Sequence, residues 1–133
     1  MFMKRFLLIV ITLFGMQWVV AQNTTTVDKD NVYNISNIDV KPDFPGGMQE
    51  FYKFIGKNYN IPNVKNLSGK VYMTFVVEID GKLGDIKIIR DIGYGTGEEA
   101  IRVLSQCPNW IPGELAGTKV RVLYALPIAI NSK

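Results

Sequence analysis

Histidine does not occur anywhere in the 133 residues of this chain. That removes His-based catalytic triads, His-ligated metals and the commonest acid–base group working near neutral pH. Cysteine is almost as scarce. A single Cys107 cannot close an internal disulfide, so the fold has to stand on its core. Without a histidine nothing obvious would activate its thiol, and its place on an apolar stripe reads as a small buried hydrophobe. No sign of charge dominates either. The 15 Lys and Arg face 12 Asp and Glu, and two of the bases, Lys4 and Arg5, sit at the extreme amino terminus. Without those two the chain is close to neutral, with no cationic footprint for nucleic acid or anionic lipid.

The remaining chemical motifs are incomplete. The stretch GYGTG, Gly93 to Gly97, has a turn-to-helix setting but lacks the full G-x-G-x-x-G spacing, and Glu98 and Glu99 would repel a phosphate. Those two acids point about 100° apart on a helix and fit capping better than a shared catalytic site. The residues therefore predict no catalytic group, no cofactor and no metal ligand set, and a chain that is not an enzyme.

Long apolar runs are also few, and the one at the start has a specific layout. Lys4 and Arg5 precede an apolar stretch from Phe6 to Val20, interrupted by Thr12, Gly15 and Gln17 and closed by Val19-Val20-Ala21. A membrane span needs about 20 apolar residues. The shorter, interrupted run reads as a secretory signal peptide, residues 1–21, with an uncleaved anchor as the alternative. Residues 22–37 read as a polar lead-in, and 38–131 as one domain. The expected location is the periplasm, or the inner membrane if the leader is retained.

Within the domain, Pro42, Pro45 and Gly46-Gly47 punctuate a chain that is extended over Val32 to Val40. Met48, Phe51, Tyr52, Ile55 and Tyr59 then recur at helical spacing, and Ile61-Pro62 ends the helix. Val71, Met73, Phe75, Val77 and Ile79 alternate onto one face of a strand, Asp80-Gly81 turns it, and Ile86 and Ile88 continue the apolar face on the way back. Thr96 to Glu99 has the form of a capping box, opening a helix with Ala100, Val103, Leu104 and Cys107 on its stripe. The sequence NWIPGELAGTK reads as a loop, and Val120 to Ile130 as the last strand. The order β-α-β-β-α-β predicts an α+β fold, with two helices on one face of a three- to four-stranded antiparallel sheet.

That last strand poses a problem. VRVLYALPIAI is apolar, yet Pro127 cannot donate to a ladder, which marks an edge strand or a bulge. An apolar edge invites pairing by other chains, and soluble proteins normally blunt it. Either it is open for a partner, or it is covered by the Val32–Val40 segment or by a second copy of the chain.

Several stretches together resemble the C-terminal domain of the TonB family, in its Pro-Gly-Gly variety. They are Phe44-Pro45-Gly46-Gly47, Gly69 to Val77 running into Asp80-Gly81, Glu98-Glu99-Ala100, Pro108 to Gly113, and Leu126-Pro127-Ile128. The likeness runs from about Ile38 to Ile130. It implies a Gram-negative periplasmic domain that grips an extended segment of an outer-membrane transporter, or of another envelope protein, beside its last strand. Carried over, the partner-binding residues are Val120, Arg121, Val122, Leu123, Tyr124, Ala125 and Leu126, with pairing of two copies through the same edge as a further possibility. Full-length transducers of the family also carry a membrane helix with a Ser and a His, and a long Pro-rich spacer. Met1 to Ala21 has neither residue, and the lead-in reaches at most about 55 Å fully extended. A stand-alone binding module is therefore expected, with a membrane-anchored transport component as the alternative.

Overall fold

The computed structural model describes residues 26–132. The leader expected at 1–21 lies outside them, and no described helix is long and apolar enough to cross a membrane. The elements run β1 (Val32–Asn34), a 3-10 turn (Ile35–Asn37), α1 (Met48–Asn58), β2 (Ser68–Val77), β3 (Leu83–Arg90), α2 (Thr96–Ser105), β4 (Gly113–Leu115) and β5 (Thr118–Asn131). The sheet is ordered β1-β5-β2-β3, with β4 attached to the first residues of β5. The α+β class and the two helices are as the sequence implies.

The centre of the sheet is built by simple alternation. Val71, Met73, Phe75 and Val77 of β2 are buried, as are Val122, Leu126, Ile128 and Ile130 of β5. The two strands pair antiparallel from Ser68–Asn131 to Val77–Val122 without a break in register. Over this face lie Phe51 and Ile55 of α1 and Ala100, Val103 and Leu104 of α2, all buried. Trp110 forms the hub, its ring 5.3 Å from Phe51, 5.4 Å from Phe75, 5.4 Å from Tyr124 and 5.9 Å from Phe44. Its backbone N–H donates to the Gly81 carbonyl at 2.7 Å. A Cβ on Gly81 would lie 2.0 Å from the Trp110 carbonyl oxygen, so the hairpin turn can approach the hub only as glycine.

The helices are stitched together at their ends. The Tyr59 hydroxyl donates to the Thr96 carbonyl at 2.7 Å, and Arg102 reaches the Asn58 carbonyl at 2.6 Å. Glu99 accepts from Arg102 and from the Asn60 backbone.

Several local expectations change. The first strand spans three residues instead of nine, and it runs parallel to β5. Part of the presumed loop before β5 is a hairpin: Leu115 pairs with Thr118 across Ala116-Gly117, both at positive φ. Tyr52 is 49% exposed, because it lies one position past Phe51, and Phe54 packs on Phe44 in its place. Ile79 lies beyond the end of β2 and is exposed. The capping box does not form. Gly95 is the N-cap, Thr96 turns its hydroxyl back to the Gly93 carbonyl at 2.7 Å, and Glu99 accepts from Arg102 of its own helix and from the Asn60 backbone just past α1.

Candidate functional site

The two sides of β5 differ. On one side β2 pairs with it along its last ten residues. On the other, β1 lies opposite Arg121, Val122 and Leu123, and beyond Leu123 no described strand follows. The open half of the strand is therefore Tyr124 to Asn131.

Alternation tells which main-chain groups are free. In an antiparallel ladder a residue turns its N–H and C=O to the same side, and its neighbour turns them to the other. Continuing the β2–β5 register, the Ser132 N–H donates to the Leu67 carbonyl at 2.9 Å. Even-numbered residues thus face β2, and odd-numbered ones face outward. Pro127 falls in the outward set, where its missing N–H costs the sheet nothing. The free row consists of Ala125, Pro127, Ala129 and Asn131, all uncharged, offering donors at Ala125, Ala129 and Asn131 and an acceptor at each of the four.

The seven residues singled out from the sequence divide accordingly. Val120, Val122 and Leu126 send their side chains into the core, and Tyr124 is half-buried, stacked on Phe75 at 5.6 Å. Arg121 and Leu123 face outward, but β1 lies opposite them. Arg121 also spans to its neighbours, donating to Glu78 Oε2 at 2.7 Å and to the Asp30 carbonyl at 3.0 Å. Of the seven, Ala125 alone has main-chain groups that are outward and free. Pro127 and Ala129 belong beside it, and the alternation that ends at Ile130 was the signal for them.

A slot of about 80 Å³ lies beside this row, lined by Ile55, Gly56, Tyr59 and Ile61 on the helix side and by Ile128, Ala129 and Ile130 on the strand side. Gly56 leaves it open, for a Cβ there would meet nothing within 4 Å. No charged side chain lines it. The one titratable group is Tyr59, whose phenol is pushed up to about 12 by burial, reinforced by the nearby charges of Glu99 and Asp91. A wider trough of about 480 Å³, bordered by Tyr72, Ile89, Arg90 and Pro127, lies across the β5–β2–β3 ladders and adds apolar surface.

The groups that would suggest chemistry are placed differently. Burial pushes the Cys107 thiol up to about 11, the Trp110 indole N–H drawing it only partly back, so it is protonated at neutral pH. That N–H has no partner of hydrogen-bond geometry. Hydrogen bonding to Arg102 holds Glu99 below the usual carboxylate range. Among the described residues no three acids or thiols gather as a metal site.

An unpaired strand edge flanked by an apolar slot can accept an extended peptide: main-chain groups give affinity, and a pocket gives choice. Residues 63–130, just over half of the chain, match the family model described as Gram-negative bacterial TonB protein C-terminal. The match covers β2 to β5 and leaves β1 and α1 outside. Curated proteins and solved structures give no significant match.

Proposed function

Because this chain belongs to the TonB C-terminal family, we propose that it is an envelope binding module whose β5 edge, from Ala125 to Ala129, is completed by an extended segment of an outer-membrane transporter. Domains of this family are non-catalytic interaction modules of TonB-dependent transport, set on the periplasmic side of the Gram-negative envelope and engaging outer-membrane transporters. The finer reading adds the place and the manner of contact. The observation that carries it is the uncharged outward row Ala125–Pro127–Ala129, open beside the Gly56 slot. The guest lays its main chain along that row and drops one small aliphatic side chain between Ile55, Tyr59 and Ile128. The leader is removed after Ala21, which releases the module from the inner membrane, and an amino terminus at Gln22 in the exported protein checks this.

The test of docking is capture of detergent-solubilised outer-membrane proteins on the full chain, with the bound species identified by mass spectrometry. Wild type should retain TonB-dependent transporters, and Ala129→Pro should lose them, since it deletes an outward donor and leaves the β2 ladder whole. Equal retention by a folded Ala129→Pro chain would place binding elsewhere.

A further inference from the structure

Two of the outward residues of β5 are already in use. By the parallel pattern, the β1 residue whose N–H and C=O both face β5 is Tyr33, set between Arg121 and Leu123. Arg121, Leu123, Ala125, Pro127, Ala129 and Asn131 form one continuous outward row, covered over its first part and bare over the rest. The cover ends because the 3-10 turn at Ile35–Asn37 leads the chain away.

We propose that β1 is a detachable strand, a built-in occupant of the docking edge that leaves when an extended segment competes for the outward groups of Arg121 and Leu123. The proposal rests on the reading of β5 as a receptive edge and adds its regulation. Nothing in β1 anchors it through the core: its three residues include no buried side chain, Val32 is 38% exposed, and the 3-10 turn that follows buries none either. The contacts around it are peripheral. Arg121 donates to the Asp30 carbonyl at 3.0 Å, and the Tyr33 hydroxyl accepts from the Asp28 N–H at 3.0 Å. Segments with few buried contacts open locally without unfolding the rest. A guest longer than the bare row then faces two states. With β1 in place it pairs from Ala125 onward, and with β1 released it gains Leu123 and Arg121 as well. Its apparent affinity is reduced by the fraction of time β1 is bound.

Amide hydrogen exchange on the full chain tests this residue by residue. The Leu123 N–H faces β1, whereas the Val122 and Tyr124 N–H groups face β2. In the wild type Leu123 should exchange at least tenfold faster than either neighbour. Tyr33→Pro removes the β1 donor and should speed Leu123 a further severalfold, with Val122 and Tyr124 unchanged. Asn34→Pro is the control: its φ of −78° already suits proline and its N–H points away from β5, so Leu123 should stay at the wild-type rate. A peptide of the chain's own Asp28–Ser36, supplied at millimolar concentration to the Tyr33→Pro chain, should slow Leu123 again. Equal protection of Leu123, Val122 and Tyr124 in the wild type overturns the proposal, as does a Tyr33→Pro chain in which the peptide leaves Leu123 unslowed. Failure to capture any transporter would instead overturn the proposed function and leave these exchange rates where they are.

Discussion

The sheet ends in two places, at the outer side of β3 and at the outer side of β5, and the two are built to opposite specifications. β3 carries Asp85, Lys87 and Arg90, all exposed, with two shifts of register against β2 and a positive φ at Asp85. Charges and irregularities of this kind are how sheets prevent unwanted pairing. Beyond Leu123, β5 has an unbroken register and an outward row of two alanines, a proline and an asparagine, none of them charged. One margin is defended against pairing and the other carries no such defence. Both belong to one short domain, so the contrast reflects local sequence and not a general laxity of the fold.

The contrast can be broken or sharpened by substitution. The largest effect separates neighbours on β5. Ile128→Pro should cost about 3 kcal/mol or more, because it removes a bond to β2 and a buried side chain, whereas Ala129→Pro should cost under about 1 kcal/mol, in keeping with a surface site. Urea unfolding of the two variants measures both, and equal costs would mean that the outward row is misassigned. Next, carrying the defence of β3 across, Ala125→Lys with Ala129→Lys should weaken transporter capture about tenfold or more, a change of about 1.4 kcal/mol, with little loss of thermal stability. Filling the slot is subtler. Gly56→Ala should raise stability by up to about 1 kcal/mol through helix propensity and still reduce capture severalfold, an opposition that a purely structural glycine would not give. Smallest is a pH effect on the slot wall. Tyr59 holds its proton more tightly folded, up to about 12, than unfolded, near 10. Its contribution is therefore complete below pH 10 and lost as pH rises toward 12. Tyr59→Phe should flatten that part of the stability–pH curve in denaturant melts.

The elements that announce themselves by periodicity were legible. The β2–β3 hairpin and both helices follow from alternating or three-to-four spacing of Val71, Met73, Phe75, Phe51, Ile55, Val103 and Leu104, because burying such side chains is worth about 1.5–3 kcal/mol each. What escaped has no such signature: the shortness and parallel sense of β1, three residues with no buried position, and β4, which turns on Ala116-Gly117 where an Asn-Gly or Asp-Gly pair would have declared a tight hairpin. The last strand was legible as an edge, but the half of it without a neighbouring strand, beyond Leu123, was not. Hydrophobicity marks which side chains go inward and is silent on which way a carbonyl points. Pro127 carried that information, since a residue without an N–H belongs on the outward row.

The length of β5 has a mechanical consequence. A segment hydrogen-bonded alongside it and tugged along the strand axis loads all its bonds at once, as in a lap joint. Tugged crosswise, the same segment peels away bond by bond. The ten-pair seam with β2 holds β5 to its own domain over more pairs than the bare part of the strand could offer a guest. On the docking proposed above, the junction with the guest would be the place that yields under tension.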